Sequence, residues 1–188
     1  MNDYKKDICT YYQKLQQVLQ TLDWDEINRA MNAIVDTYER GGNIYIMGNG
    51  GSAATASHYV CDFNKGISDG RTKKFLFQCL NDNVPMIMAV ANDISYDEIF
   101  SYQLRGRLKK DDLVIGISGS GNSKNIIAAV KYVKEVGAPV VGISGYDGGA
   151  LYQMADYHMH VPVNDMQIAE DIHMTFDHMM VRVLCERI

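Results

Sequence analysis

The chain contains 188 residues, of which 47% are hydrophobic and 22% are charged. Such a length and composition are typical of one globular domain with a substantial core. The net charge of −5 and the lack of a lysine- or arginine-rich run argue against a direct nucleic-acid ligand. No apolar stretch reaches membrane-spanning length, and the polar N-terminus does not resemble a signal peptide. The four cysteines form no CxxC pair, so we expect reduced thiols in a cytoplasmic protein.

Residues from about 3 to 40 carry apolar side chains at the spacing of amphipathic helices. Residues 21–24 separate two such sets, and Gly41-Gly42 follow the second set. These features predict an α-hairpin ahead of the main fold, with the second helix ending at the glycines.

From residue 43 onward, short apolar runs alternate with stretches of helical spacing. The predicted strands are 43–47, 75–79, 112–117, 139–144 and 157–161. The predicted helices are 52–63, 83–91, 97–107, 122–136, 148–154 and 166–187. The alternation predicts an α/β fold, a three-layer α/β/α sandwich with a five-stranded parallel sheet. No linker divides the sequence, so we predict a single domain over residues 1–188, with the helical pair at 1–40 and the α/β core at 41–188.

Two glycine-rich turns each follow a predicted strand and precede a predicted helix. The first reads Gly48-Asn49-Gly50-Gly51-Ser52, and the second reads Ser118-Gly119-Ser120-Gly121-Asn122-Ser123. Glycine lets the backbone approach a ligand closely, while helix N-termini and serine hydroxyls supply hydrogen-bond donors to an anion. Parallel sheets bind ligands at the carboxyl ends of their strands, which is where both turns fall. The sequence therefore predicts a site for a phosphorylated small molecule.

Other interpretations of the two turns are weaker. The first turn lacks the third glycine of GxGxxG, and no acidic residue ends the second predicted strand, which argues against a nicotinamide or flavin cofactor. Neither turn contains the Gly-Lys-Ser/Thr of a P-loop, which argues against nucleotide hydrolysis. Plain structural turns without a ligand are the remaining alternative.

Histidines and carboxylates recur in two of the predicted helices. His58 and Asp62 are four residues apart, which places both on one helix face. An exposed His–Asp pair without a function is the simpler alternative. Two histidines with two carboxylates would suit a divalent metal such as zinc, or general acid–base catalysis.

The C-terminal helix leaves two ways to complete such a set. Glu170 lies on a similar face to His173 and Asp177, and it lies about 80° around the helix from His178. Spacing alone favours neither set.

The series of motifs resembles the sugar isomerase (SIS) family, and within it the sedoheptulose 7-phosphate isomerases, also called phosphoheptose isomerases. The resemblance rests on the two glycine-rich turns, on Asn92-Asp93 between them and on Gly145-Tyr146-Asp147-Gly148-Gly149 after them. It covers nearly the whole chain, including the N-terminal helical pair. It implies an isomerase that converts sedoheptulose 7-phosphate to D-glycero-D-manno-heptose 7-phosphate through an enediolate, with help from a metal ion.

The resemblance also implies roles for individual residues. The implied phosphate- and substrate-binding residues are Asn49, Gly50, Gly51, Ser52, Asp93, Ser118, Ser120 and Ser123. The implied ligands of a divalent metal, zinc above all, are His58, Asp62, Glu170 and His178, and the implied proton-transfer residues are Asp62 and His178. Of the two sets that helical spacing leaves open, the resemblance thus favours the one with His178 over the one with His173 and Asp177.

The chain departs from the family pattern at four places. Asp62 occupies a position where the family has a glutamate, and Glu170 occupies a position where the family has a glutamine. Gly66 stands where an arginine is common, and Gly119 stands where the second turn usually has threonine. Asp62 and Glu170 both keep an oxygen ligand, so we expect an altered metal site that still functions.

Other members of the family supply the alternatives to this enzyme. One similar group binds the bacterial replication initiator as a tetramer and lacks the full metal set, and other relatives are sugar-phosphate sensors fused to DNA-binding domains. An isomerase of a different sugar phosphate is a third possibility. The ligand-capable residues at all four metal positions favour the enzyme. The resemblance further implies a homotetramer with sites at subunit interfaces, where His58 and His178 could meet across subunits.

Overall fold

The structure is a computed structural model that describes residues 2–188. A sheet of five parallel strands lies at its centre, in the order β2-β1-β3-β4-β5. The strands are β1 (Ile44–Met47), β2 (Phe77–Cys79), β3 (Leu113–Ser118), β4 (Val140–Ser144) and β5 (Tyr157–His160). Each strand begins within two residues of its predicted start, so the predicted sheet is confirmed. Strands β1, β3 and β4 are buried at every position, which explains their continuous apolar runs.

The helices cover both faces of the sheet. They are α1 (Lys5–Leu19), α2 (Trp24–Arg40), α3 (Gly51–Cys61), α4 (Val84–Asp93), α5 (Ser101–Leu104), α6 (Lys124–Val136), α7 (Gly149–Met154) and α8 (Met166–Arg187). One apolar core joins α1, α2, α3 and α8 to one face of the sheet, and a second core joins α4 to α7 to the other face. The predicted three-layer sandwich is thus confirmed.

The N-terminal helical pair forms as predicted. The Asp23 carboxylate accepts hydrogen bonds from the N–H groups of Asp25 and Glu26 and so caps α2, which ends at Gly41. Tyr11 of α1 donates a hydrogen bond of 2.5 Å to Asp171 of α8. The pair is therefore attached to the α3–α8 side of the sandwich.

The prediction of one helix over residues 97–107 is wrong. The segment contains a 3₁₀ turn (Tyr96–Glu98) and the single-turn helix α5. Arg105 then has an extended backbone, and Gly106 has a positive φ of 71°, so the helix cannot continue.

None of the helices in residues 2–188 has the combination of length and apolar character that a membrane span requires.

The topology places the two glycine-rich turns beside each other and α8 alongside α3. Strands β1 and β3 are neighbours, so the turn after β1, which leads into α3, lies beside the turn after β3, which leads into α6. Helix α8 packs along α3. Glu170 lies next to Gly51, and His178 lies next to His58, so α3 and α8 run in the same direction.

Candidate functional site

The two glycine-rich turns are joined by a reciprocal pair of amide hydrogen bonds. Asn49 Nδ2 donates to Asn125 Oδ1 at 2.9 Å, and Asn125 Nδ2 donates to Asn49 Oδ1 at 2.8 Å. Tyr96 adds a third hydrogen bond, from its hydroxyl to Asn49 Oδ1 at 3.0 Å. Asn125 is buried, so this pairing satisfies polar groups that have little access to water. The two turns therefore form one preorganised unit.

The serines that are expected to bind phosphate lie in the two turns. Ser52 and Ser118 are buried, and the hydroxyls of Ser118 and Ser123 lie 3.1 Å apart. Ser120 accepts a hydrogen bond from the N–H of Asn122, within the second turn.

The N-cap residues, Gly50 of α3 and Ser123 of α6, make no side-chain capping hydrogen bond. Within the first turn of α6, the Asn125 side chain accepts a hydrogen bond from the N–H of Ile126. The dipole and the remaining free N–H groups of a helix N-terminus favour an anion.

Two glycines of the second turn lie close to other parts of the chain. Gly121 has a φ of +66°, and a β-carbon there would lie 1.9 Å from the carbonyl oxygen of Gly148. The turn therefore packs directly on the loop before α7. A β-carbon on Gly119 would lie 2.5 Å from Met166 Sδ. The Met166 side chain thus occupies space beside the position where the family usually has threonine.

Asp93 is the last residue of α4, and its side chain is exposed. Its carboxylate accepts a hydrogen bond of 2.8 Å from the side-chain amide of Asn92. Its expected position near a sugar remains a prediction.

A cluster of two histidines and two carboxylates lies between α3 and α8. The donor atoms of His58, Asp62, Asp177 and His178 all lie within 4.8 Å of one another, which is a set that could hold a metal ion. His58 Nε2 is 3.5 Å from Asp62 Oδ2, 3.8 Å from Asp177 Oδ2 and 3.2 Å from His178 Nε2. We call these four residues the histidine–aspartate cluster. His58 and His178 meet within one chain.

Asp62 lies at a change in helical geometry. It begins a turn of π-helix, Asp62–Ile67, that continues directly from α3. Ser68 supports this turn, because its hydroxyl donates to the carbonyl oxygen of Phe63 and accepts from the N–H of Phe75. π-Helical turns occur frequently at functional sites. The predicted common face of His58 and Asp62 is confirmed by their contact.

Asp177 is the buried member of the cluster. Its side chain is 0% exposed, and neither carboxylate oxygen has a hydrogen-bond partner among the described residues. Burial raises the pKa of this carboxyl to about 7, and the negative charge of Asp62 contributes in the same direction. Asp177 stands on the face of α8 that also buries Phe176 and Met180.

Glu170 and His173 lie outside the cluster. Glu170 Oε2 would be 3.1 Å from a β-carbon on Gly51, so it lies at the first glycine-rich turn. It is separated from His178 by about 12 Å of helical rise. His173 is buried against the sheet, where burial lowers its pKa to about 4. The structure thus groups His178 with Asp177. Neither of the two ligand sets that helical spacing suggested for α8 combines these residues.

Several residues that shape the site are not predicted from the sequence. Asp177 is absent from the implied metal ligands, although a carboxylate among the apolar positions of α8 is a signal of unusual chemistry. The roles of Asn125 and Tyr96 depend on the contact between the two turns, which no local pattern reveals.

The chain is similar to known proteins over most of its length. Residues 10–145 match the SIS domain family. The phosphoheptose isomerase of Aliarcobacter butzleri is 31% identical, over 95% of this chain and 94% of that protein. The probable phosphoheptose isomerase of Thermoplasma acidophilum is 33% identical, over 96% of this chain and 99% of that protein. The structure of phosphoheptose isomerase GmhA from Neisseria gonorrhoeae superimposes with a TM-score of 0.88 at 26% identity, covering 97% of this chain and 98% of that one.

The sheet order, the paired turns and the matched region together define a SIS domain. Because the similarity to the two relatives extends over almost the full length of both chains, this chain belongs to the phosphoheptose isomerase family of SIS-domain proteins.

Proposed function

We propose that this chain is the isomerase that interconverts sedoheptulose 7-phosphate and D-glycero-D-manno-heptose 7-phosphate. One observation carries the proposal: the first glycine-rich turn lies where α3 begins, beside Glu170 of α8, and the histidine–aspartate cluster lies further along the same two helices. The names of the relatives from Aliarcobacter butzleri and Thermoplasma acidophilum support the same activity.

The separation of the two parts suits a seven-carbon sugar phosphate. His58 lies six positions after Ser52, which corresponds to about 9 Å of rise along α3. An extended chain advances roughly 1.2 Å per covalent bond, so the eight bonds from C1 to phosphorus span about 10 Å. A phosphate held at the turns therefore leaves C1 and C2 at the level of the cluster.

The turns would bind the phosphate and position the sugar. Ser52, Ser118, Ser120 and Ser123 would donate hydrogen bonds to it, and the backbone of Asn49, Gly50 and Gly51 would approach it closely. Binding energy at this distant group would fix the reacting carbons in place. Asp93 is proposed as the residue that contacts the sugar.

Asp62 and His178 are proposed to transfer the protons. Asp62 would remove a proton from C1 of the ketose, and the electron pair would move through C2 to the carbonyl oxygen to form the enediolate. His178 would deliver a proton to C2 while the hydroxyl proton passes from O1 to O2, which leaves an aldehyde at C1. Asp62 would then release its proton to water, and His178 would take up a proton from water, which restores both residues for the next turnover. Asp62 is one methylene shorter than the family's glutamate, so it relies on its place at the start of the π-helical turn to reach the substrate.

The cluster fits a divalent metal, and we propose zinc. Ligands 2.0–2.1 Å from a tetrahedral zinc ion lie about 3.3 Å from one another. The distances from His58 Nε2 to His178 Nε2 and to Asp62 Oδ2, 3.2 and 3.5 Å, are close to that value. A bound divalent cation supplies positive charge that stabilises negative charge developing on the substrate oxygens.

A homotetramer is proposed as the assembly, by analogy with the family. Several large apolar side chains on α1 and α4 support it, because they are exposed in the single chain: Ile8, Tyr12, Val84 and Met88. Light scattering coupled to size-exclusion chromatography would measure the mass in solution.

The activity can be tested by incubating the zinc-loaded protein with sedoheptulose 7-phosphate and following the aldoheptose phosphate by NMR. We expect turnover in the parent protein and its loss in His178→Ala. Arg182→Ala is the matched control, because Arg182 is exposed one turn further along α8, where its side chain forms an ion pair with Glu186. Metal-loaded protein that shows no turnover of this sugar would contradict the proposed substrate.

A further inference from the structure

We propose that Asp177 is a direct ligand of the divalent metal and takes the fourth protein position that family resemblance assigns to Glu170. The inference depends on the metal part of the proposed function and is independent of which sugar is isomerised. It concerns a residue that distinguishes the cluster of this chain from the implied His58/Asp62/Glu170/His178 set.

The position of the Asp177 carboxylate is the first argument. Its Oδ2 atom is 3.8 Å from His58 Nε2. One of its oxygens also lies within 4.8 Å of the donor atoms of Asp62 and His178. A shift of about half an ångström would bring it to the spacing of ligands around a tetrahedral zinc ion.

The lack of a partner for the Asp177 carboxylate is the second argument. Both oxygens are buried and accept no hydrogen bond among residues 2–188. A buried carboxylate is costly unless it is paired or coordinates a metal. The only basic side chain within 4.0 Å among the described residues is His58, which is itself a member of the cluster. A cation between these residues would satisfy the carboxylate and the imidazoles together.

The charge of the cluster is the third argument. Asp62 and Asp177 contribute two negative charges, and the two histidines bind metals as neutral imidazoles. The set therefore balances the charge of a divalent ion. Glu170 lies next to Gly51 at the phosphate end, about two helical turns from His178, and is poorly placed to add a third charge.

The experiment measures metal binding directly, without reference to turnover. Metal-free parent protein, Asp177→Asn and Glu170→Gln are titrated with Zn²⁺ in competition with a chelating dye, and their Co²⁺ forms are compared by visible absorption. Asn keeps the size of Asp and loses the charge, and Glu170→Gln applies the same change to the control position on the same helix.

We expect Asp177→Asn to weaken Zn²⁺ binding at least about 100-fold, which exceeds the usual effect of residues that only orient a ligand. The Co²⁺ spectrum should change in the same variant. Glu170→Gln should bind Zn²⁺ within about twofold of the parent and keep its Co²⁺ spectrum. Unchanged affinity and spectrum in Asp177→Asn, or a larger loss in Glu170→Gln than in Asp177→Asn, would overturn the assignment. A parent protein that binds neither ion would also overturn it.

A second variant guards against a folding defect. Asp177→Leu removes the buried charge and keeps the branched shape and the number of heavy atoms, so without metal it should unfold at a higher temperature than the parent. Added Zn²⁺ should raise the melting temperature of the parent and leave that of Asp177→Leu unchanged, whereas an equal rise in both would reject the ligand role.

Turnover of sedoheptulose 7-phosphate, measured on the same preparations, separates the two proposals. An active parent whose Zn²⁺ affinity is insensitive to Asp177→Asn would reject only the ligand. An inactive parent whose Zn²⁺ binding depends on Asp177 would reject only the reaction.

Discussion

His58 and His178 face each other across two parallel helices of one chain, with their Nε2 atoms 3.2 Å apart. Without a metal, one ring must donate its Nε2 proton and the other must accept it, so the two imidazoles need opposite tautomers. A shared cation removes this restriction, because both nitrogens can then present lone pairs.

Replacement of His58 should therefore affect the metal and the reaction but not phosphate binding. We expect His58→Ala to lower kcat at least about 100-fold, as loss of a positioned catalytic group does. Its zinc content, measured by mass spectrometry, should fall in parallel, and its affinity for inorganic phosphate should match that of the parent. An equal loss of phosphate affinity would show that the variant had lost its fold and not only its metal.

Removal of one serine hydroxyl from the second turn should act on the phosphate alone. Ser118→Ala is expected to raise KM for the sugar phosphate about 10- to 100-fold, because a hydrogen bond to a charged group contributes about 1.5–3 kcal/mol. Steady-state kinetics would measure KM and kcat separately. Thr175→Ala is the control and should leave both constants unchanged, because Thr175 is an exposed residue of α8 whose hydroxyl donates only to the carbonyl oxygen of Ile172 in the same helix. A fall in kcat with constant KM would argue against a phosphate ligand at this position.

The amide pair that joins the two turns should contribute to stability. Asn125→Ala leaves Asn49 without its reciprocal partner in a site with little access to water, so we expect a loss of about 2 kcal/mol in the free energy of unfolding. Urea unfolding of Asn49→Ala, Asn125→Ala and the double variant would give the coupling between the two residues. A coupling of at least about 0.5 kcal/mol is expected for residues in direct contact, and additive effects would show that the pair is not coupled.

Gly121 should tolerate no side chain. Gly121→Ala combines a left-handed backbone with a β-carbon 1.9 Å from the carbonyl oxygen of Gly148. The strained φ alone costs about 1–2 kcal/mol, and the collision should bring the total well above 2 kcal/mol. Gly70→Ala is the matched control, since Gly70 has a φ of +68° and no atom within 4 Å of the added carbon. Equal losses of stability in the two variants would mean that the packing against Gly148 is unimportant.

Burial of His173 should make the protein sensitive to acid. Its pKa is lowered to about 4 in the folded chain, chiefly by burial, against about 6.5 in the unfolded chain. The unfolded chain thus binds more protons between these values, and stability falls as the pH drops through this window. At pH 5 the lowered pKa of His173 should reduce the free energy of unfolding by about 2 kcal/mol.

The matching experiment compares urea unfolding of the parent and His173→Leu at pH 7.0 and pH 5.0. Between pH 7.0 and pH 5.0, the free energy of unfolding should fall by about 2 kcal/mol less in the variant than in the parent. Identical losses in both proteins would contradict a buried neutral imidazole at this position.

The sequence was sufficient for features that depend on local order along the chain. The apolar strands, the turns at their carboxyl ends and the contact between His58 and Asp62 all follow from spacing. The helix predicted over 97–107 failed because apolar spacing there reflects packing of separate short turns and not one continuous helix.

The composition of the cluster depended on how two helices pack, which spacing along one helix does not determine. On α8 alone, Asp177 and His178 point in different directions, by about 100°. They converge because α3 lies between those directions and His58 reaches both. Family resemblance favoured Glu170, whereas in this chain the parallel arrangement of the helices places Glu170 at the other end of α3.

The π-helical turn that begins at Asp62 has a consequence for how this chain can diverge. A π turn contains an extra residue relative to an α turn. Here Ser68, five residues after Phe63, donates to the Phe63 carbonyl oxygen and accepts from the N–H of Phe75. Deletion of one residue between Phe63 and Ser68 would shift Ser68 by about 1.5 Å along the helix and turn it by about 100°, so its hydroxyl would not keep both bonds. Descendants of this protein can therefore exchange side chains within the segment, but they must preserve its length.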